Sequence, residues 1–512
     1  VSVPRFHMPT EVGEIMLEQL FPEPDPYITD PVAWVRDELG EELWSRQREI
    51  LESVRDNRFT AVKACHGPGK SFSAARAATW WNSVHPLGSA FVVSTAPSWP
   101  QIEAILWREL RRAHRKGNLR GRVTLDCKWH MAEDGGKRAD ASEELIAMGR
   151  KPADYDEQAF QGIHARYVLV IIDEADGVPE QLYNAVLSLV TNEHCRVLAI
   201  GNPMDPTSHF AEVCKPGSGW NVITIPVWDT PNFTEKVCQS FNRHRELPEE
   251  RHMITEEMRE VLVGPLWVET AKKSWGEGSP LWLSKVEAEF PEVTDDTLFT
   301  PRMILDAQAR NLPGFERGRF AADIARFGDD ETVLYRNRGG QIRLEERGFK
   351  QDTMETAGMI AKPLNELLKN QVVVPAIIDA DGLGAGVYDR LREQGYEVGA
   401  FHGGKAAFDK TKFKNRRAEQ YWRFREMFEA DLIDLDPEDE QLAAQLLSIR
   451  WFLDSTGRIQ LESKDDMRKR GLPSPDRADA AMMSTVDTGL VGLVVDVIRD
   501  SSLTSDLLRR KL

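Results

Sequence analysis

Val62-Lys-Ala-Cys-His-Gly-Pro-Gly-Lys-Ser71 sets the interpretation of the whole chain. It lies between a short apolar run and a helical pattern. Gly67 and Gly69 allow a tight turn that aims amide N–H groups at a polyphosphate, and Lys70 and Ser71 open a helix whose N-terminus favours an anion. His66, Gly67, Gly69, Lys70 and Ser71 are therefore candidate nucleotide contacts, with Lys70 on the β- and γ-phosphates and Ser71 on Mg²⁺. Ala64 stands where the pattern G-x-x-x-x-G-K-[ST] has its first glycine. A Gly-Lys-Ser turn is common by itself, so the flanking elements carry the argument.

Tyr167-Val-Leu-Val-Ile-Ile-Asp-Glu-Ala175 is the strongest of them. Six apolar or aromatic residues predict a parallel strand buried on both faces, and Asp173 and Glu174 fall at its C-terminal end, where open α/β sheets bind ligands. Adjacent carboxylates at such a place are costly unless a metal or a partner neutralises them. Asp173 is thus a candidate Mg²⁺ ligand, and Glu174 a candidate for positioning or deprotonating an attacking water. Ala90–Pro97 and Arg196–Pro203 predict two further strands. The second ends in Gly-Asn-Pro, placing Asn202 where it could sense a γ-phosphate. Such repeated units predict a parallel sheet with helices on both faces.

Upstream, residues 31–54 predict two helical stretches, and Gln47 lies in the second. It either reads an adenine edge or is a solvated glutamine. Residues 101–114 predict one helix, ending in a basic cluster of Arg108, Arg111, Arg112, Arg115, Lys116, Arg120 and Arg122. The cluster is a phosphate track, a source of a trans-acting arginine, or a solvated face. Residues 132–157 predict a long loop or irregular helix, and helical stretches are expected near 249–262 and 281–290.

The 512 residues exceed one ordinary core. A formal charge of −17 excludes a protein that coats nucleic acid with its whole surface, so DNA contact needs local basic patches. Five scattered cysteines without a C-x-x-C pair speak against zinc and against a disulfide framework, which suits a reducing compartment. No run is long and apolar enough to span a bilayer, and no basic-then-apolar signal pattern opens the chain.

The second half shows another set of strands. Gly318–Tyr335 predicts a hairpin with Asp323 on its first strand, Val372–Gly386 predicts a strand ending in Asp379 and Asp381 before a glycine-rich turn, and Ser474–Ser484 begins a helix with Asp476 and Asp479 one turn apart. Three separated carboxylate clusters suit two Mg²⁺ or Mn²⁺ ions in phosphodiester cleavage, with Asp323, Asp379, Asp476 and Asp479 as candidate ligands and Asp330 and Asp381 as further carboxylates. Between them, Lys405, Lys410, Lys412, Lys414, Arg416, Arg417, Arg423 and Arg425 face only Asp409 and Glu419, making the better of two candidate DNA tracks.

The set Trp44-Ser-Arg-Gln47, His66–Ser71, Ser94-Thr-Ala-Pro97, Phe160–His164 leading into Ile171–Ala175, Gly201-Asn-Pro203, Asp323 with Gly328-Asp-Asp330, Asp379 with Gly382-Leu-Gly384, Asn415–Glu419 and Ser474–Asp479 resembles, in order and spacing, the large terminase subunit of tailed double-stranded DNA bacteriophages. The resemblance covers roughly 40–490. It implies an α/β fold class, a P-loop ATPase domain with a central mostly parallel sheet followed by a ribonuclease-H-like α/β nuclease domain. It assigns 1–40 to an N-terminal arm, 41–225 to the ATPase core, 226–300 to a lid or linker subdomain, 301–316 to an interdomain linker, 317–490 to the nuclease and 491–512 to a tail.

The resemblance further implies ATP and Mg²⁺ at Lys70, Ser71, Asp173, Glu174 and Asn202, adenine recognition by Gln47, and two Mg²⁺ or Mn²⁺ ions at Asp323, Asp379 and the 476/479 pair, with Asp479 favoured. Asp479, Asp323, Asp379 and Glu174 are the catalytic candidates. The implied partners are double-stranded DNA, the phage portal protein, the small terminase subunit and copies of itself in a ring, read as a pentamer, on the prohead, with no membrane. The implied location is the host cytoplasm, transiently at the prohead portal, and not the mature virion. Two other readings stand beside it, a cellular helicase–nuclease of repair and a DNA-binding scaffold whose sites have decayed.

Overall fold

The computed structural model describes residues 25–132, 143–151, 165–234, 255–315, 318–324, 331–382 and 384–486. Asp330, the Phe160–His164 stretch, most of the N-terminal arm and the tail lie outside them. Contacts divide the chain into two units, Val1–Pro203 with Ser208–Pro265, and Leu266–Leu512 with Met204–Thr207.

The first unit is built on an eight-stranded sheet in the order β3-β4-β5-β2-β6-β7-β1-β8. The strands are β1 Phe59–Ala64, β2 Ala90–Thr95, β3 Arg122–Val123, β4 Lys128–Ala132, β5 Glu143–Gly149, β6 Tyr167–Asp173, β7 Arg196–Gly201 and β8 Asn221–Ile225. From β5 to β8 every pairing is parallel, and β3 and β4 add an antiparallel edge. β7 sits between β1 and β6, so the strand that leads into Asn202 separates the phosphate-loop strand from the one ending in Asp173. Val168 through Ile172 are buried without a break, as expected of a strand covered on both faces.

Two expectations for this unit are corrected. Residues 132–157 are not simply loop, because Glu143–Gly149 forms β5, burying Ile146 and Ala147 while Glu143 and Glu144 remain exposed. The paired glutamates hid the strand's alternation. The expected single helix over 101–114 is instead Trp99–Gln101, a π-helical segment Ile102–Leu106 and a helix Trp107–Lys116. Ile102 and Leu106, at the two ends of the π-helical segment, are both buried, as is Trp107 after it.

The second unit carries a six-stranded sheet, β13-β12-β9-β10-β11-β14. Its strands are β9 Arg319–Asp323, β10 Glu331–Arg338, β11 Gln341–Phe349, β12 Ala376–Asp379, β13 Val398–Phe401 and β14 Asp434–Leu435. β9, β10 and β11 form an antiparallel meander, while β12 and β13 add in parallel on the other side of β9. This is the ribonuclease-H-like arrangement that the resemblance implied. The stretch expected as a linker, 301–316, contains a helix Pro301–Ala309 whose Ile304 and Ala307 lie in the core of this unit. Thr300 caps it by accepting from Met303 N, and the turn-forming residues around it concealed it. Between 255 and 286 there are three helices, Glu256–Val261, Pro265–Trp275 and Pro280–Lys285. Among the described residues no helix is long and apolar enough to cross a membrane.

Candidate active sites

In the first unit the phosphate loop runs from the end of β1 into the helix Lys70–Val84. Gly67 and Gly69 have φ of +68° and +89°, which side-chain-bearing residues rarely adopt. Lys70 Nζ donates to Cys65 O at 3.3 Å and to Asn202 Oδ1 at 3.0 Å, and Asn202 Nδ2 donates to Ala64 O at 2.7 Å. The lysine, the loop and the end of β7 are thus joined. Ser71 Oγ donates to Asp173 Oδ2 at 3.3 Å, and Glu174 N to Asp173 Oδ1 at 3.0 Å.

Asp173 is buried, and burial followed by the neighbouring Glu174 pushes its carboxyl up to about 7, with Lys70 opposing. Such a group calls for a cation beside it. Glu174 has φ +46° and ψ +49°, a left-handed backbone for a residue with a side chain. Gly201 makes room for that turn, since a Cβ there would lie 2.9 Å from Ala175 N. His66 is exposed on the loop.

Gln47 is almost fully buried, and its Oε1 has no hydrogen-bond partner among the described residues. A Cβ on Gly69 would fall 2.6 Å from Gln47 Nε2, so the loop and Gln47 fit together only because residue 69 is glycine. The neighbouring Arg46 is held by Asp229, with Nη2 to Oδ2 at 2.6 Å. The orphaned amide oxygen, the glycine cradle and the Ser71–Asp173 oxygen pair together fit a Mg²⁺-nucleotide.

One feature escaped sequence reasoning. Val263 N donates to Gly67 O at 3.0 Å, and Asn232 Nδ2 donates to Arg259 O and Val263 O, each at 3.0 Å, pinning a Leu262–Val263 strap on the phosphate loop. Apolar residues after a short helix carried no signal of that contact.

The basic cluster is partly spent on internal pairs. Arg111 donates to Thr124 O and Glu103 O, Lys116 pairs with Glu41, and Arg122 with Glu143. Glu109 joins the fully buried Arg76, which also pairs with Glu41. Among the described residues Arg108 and Arg115 have no carboxylate partner and are exposed.

In the second unit Asp323 ends β9, Asp379 ends the adjacent β12, and Asp476 and Asp479 lie in the first turn of the helix Asp476–Met483. Lys464, which sequence reasoning did not single out, lies among them. Its Nζ is 2.9 Å from Asp479 Oδ2, 3.4 Å from Asp323 Oδ2 and 3.5 Å from Asp476 Oδ1. Asp479 Oδ1 also accepts from Tyr421 OH at 2.7 Å and Arg417 Nε at 3.1 Å. Arg417, expected on the DNA track, points into this cluster instead. Arg423 and Arg425 pair with Glu419 and Glu429.

The carboxylates are electrostatically unequal. Burial pushes Asp323 well above the ordinary range, with Asp476, Asp479 and Asp379 adding to the rise and Lys464 opposing it. Burial also raises Asp379, to about 6, although it accepts from Asp381 N. Burial would raise Asp479 too, but Arg417 and Lys464 outweigh it and hold the group at about 2. Lys464 is shifted upward, since the three aspartates outweigh its own burial.

Among the described residues no three carboxylate, histidine or cysteine groups are gathered closely enough to hold a metal as they stand. A lysine ammonium ringed by three of the carboxylates nevertheless marks a place that a cation suits, and the hard oxygen donors fit Mg²⁺ or Mn²⁺. The helix bearing Asp476 and Asp479 is fixed by Arg477, which is buried, pairs twice with Glu331 at 3.0 and 3.1 Å and donates to Asp439 at 2.7 Å.

No family model matches the chain. It is similar to a curated "Probable terminase, large subunit" of Enterobacteria phage P7, with 24% identity over 457 residues, 85% of this chain and 86% of the relative. Among solved structures it is similar to the large terminase of a thermophilic bacteriophage in complex with ADP, at 11% identity, covering 87% of this chain and 99% of that one with a TM-score of 0.38. A nuclease domain of the large terminase subunit of bacterial virus Sf6, solved with manganese, shows 20% identity over 33% of this chain and 89% of that one, with a TM-score of 0.28. The resemblance read from the motifs thus meets a curated relative that spans most of the chain.

Proposed function

We propose that the chain is the large subunit of a phage terminase, an ATPase that drives double-stranded DNA through a portal into a prohead and a metal-dependent endonuclease that cuts concatemeric DNA. The observation that carries the reading is that two sets of residues, scattered in sequence, each converge at strand ends: Lys70, Ser71, Asp173 and Asn202, and Asp323, Asp476 and Asp479 around Lys464.

At the first site Lys70 and the loop amides hold the phosphates, Gln47 receives the base, and Ser71 and Asp173 would hold Mg²⁺, which supplies charge neutralisation when bound. Glu174 orients or deprotonates water, and Asn202 links the γ-phosphate position to Lys70. At the second, Asp323, Asp379 and the 476/479 pair would hold two Mg²⁺ or Mn²⁺ ions, which when bound would supply Lewis acidity for water activation and charge stabilisation for the leaving oxygen. Tyr421, Arg417 and Arg477 keep Asp479 and its helix in place.

The same reading assigns 41–225 to the ATPase core, 226–300 to a lid and 317–490 to the nuclease. It places the protein in the host cytoplasm and at the portal, with the small terminase subunit and a ring of its own copies as partners. Purified protein, incubated with matching proheads, ATP and linear DNA, should render that DNA resistant to added nuclease. Proheads that take up no DNA while the protein turns over ATP would defeat the translocation part.

A further inference from the structure

Residues 403–415 form a closed loop beside the second site. Arg416 N donates to Lys405 O at 2.8 Å, tying its ends, while Ala407 and Phe413 are buried beneath it. Glu419, fully buried, accepts from the amides of Phe408 at 2.6 Å and Asp409 at 3.4 Å. Asp409 in turn accepts from the amides of Thr411 and Lys412. A buried carboxylate committed to loop amides makes this a built surface.

That surface presents an aromatic ring with a cation on one face. Phe408 is 66% exposed, and the Arg416 guanidinium lies 3.6 Å from its ring centroid, covering one face. Among the described residues Lys405, Lys410, Lys412 and Arg416 have no carboxylate partner. The base of the loop adjoins the carboxylates: Gly404 N donates to Asp381 Oδ2 at 3.4 Å, Asp381 N donates to Asp379 Oδ1 at 3.0 Å, and Arg417, next in the chain to Arg416, bonds Asp479.

We propose that this loop holds a DNA strand at the nuclease site, with the free face of Phe408 stacking on a base that has lost a stacking neighbour, as at a duplex end or a frayed step, while Lys405, Lys410 and Lys412 contact the flanking phosphates. The occupant follows from charge and chemistry: an exposed apolar ring covered on one face by a guanidinium, on a loop that also carries Lys405, Lys410 and Lys412 in a chain of net charge −17, suits a polyanion bearing aromatic bases. The inference rests on the nuclease reading.

The test uses the full chain in EDTA and a blunt duplex with 2-aminopurine at one end. Parental protein should change the fluorescence on binding. Phe408→Ala should lose most of that change and roughly five- to a hundredfold in affinity with an unaltered salt slope, because no charge is removed. Phe408→Trp should restore both. Lys410→Gln should keep the fluorescence change and reduce the salt slope by about one. Phe408→Ala binding with parental affinity and signal would overturn the inference. Plasmid cleavage by the parental protein in Mn²⁺, measured in parallel, reports separately on the nuclease reading.

Discussion

The two candidate sites handle negative charge in opposite ways. In the first unit, one buried carboxylate, Asp173, sits beside a loop of positive-φ glycines and a lysine bonded to Asn202, an arrangement that on the proposed reading an anion and a metal would complete together. In the second, Asp323, Asp476 and Asp479 surround the chain's own Lys464, so on the proposed reading an arriving metal would compete with a cation already in place. Buried carboxylates of the same chemical type thus stand at one site without a cation salt-bridged to them among the described residues and at the other around a resident lysine.

The greatest loss should come from disabling the first site. Glu174→Gln should retain nucleotide binding and lose roughly 10²–10⁴ in hydrolysis, read as phosphate release at saturating ATP. Turnover at the parental rate would remove Glu174 from its role.

The second site should show the steeper pH dependence. Its carboxylates must be ionised to bind metal, and Asp379 is raised to about 6 with Asp323 also raised. Cleavage at fixed metal should therefore fall as pH drops through about 6, by roughly tenfold or more per unit, and recover above it. A flat cleavage profile from pH 5 to 8 would contradict this picture of the site.

Lys464→Ala probes the contrast between a waiting site and an occupied one. Removing the resident cation should tighten Mn²⁺ binding to the chain by about tenfold or more in a calorimetric titration, with ATP turnover unchanged. Weaker metal binding would mean that the lysine supports the ligands and does not compete with metal.

A more modest change is expected in stability. A raised carboxyl pKa contributes stability that is full below the group's ordinary value and is lost as pH rises through the folded value, so Asp173 should cost stability between about 4 and about 7. Asp173→Asn should flatten that slope and melt higher than the parent at pH 8 without metal.

The strands ending in Asp173, Asn202 and Asp379 were legible because each is an apolar run stopped by polar residues, and burial on both faces leaves no alternation to misread. Asp323 and Asp379 could be picked out because a carboxylate closing such a run has few structural reasons to be there, and Asp479 because it stands one turn from Asp476 at the start of a helix. Lys464 was illegible: within Ser463-Lys-Asp-Asp-Met-Arg-Lys469 it looks like any solvated charge, and only the fold carries it to three aspartates 12 to 141 residues away. Arg417 was misplaced for the same reason, since one position within a basic run turns inward while its neighbours do not. The strap over the phosphate loop depends on Asn232 meeting carbonyls 27 and 31 residues downstream, which no local pattern encodes.

That one chain carries two separate active sites is a claim that reciprocal single variants can decide. ATP hydrolysis and Mn²⁺-dependent plasmid cleavage would be measured on the same preparations of parent, Glu174→Gln and Asp323→Ala. Glu174→Gln should lose hydrolysis and keep cleavage, and Asp323→Ala should lose cleavage and keep hydrolysis. Cleavage that survives in Asp323→Ala, or hydrolysis that disappears with it, would contradict the account.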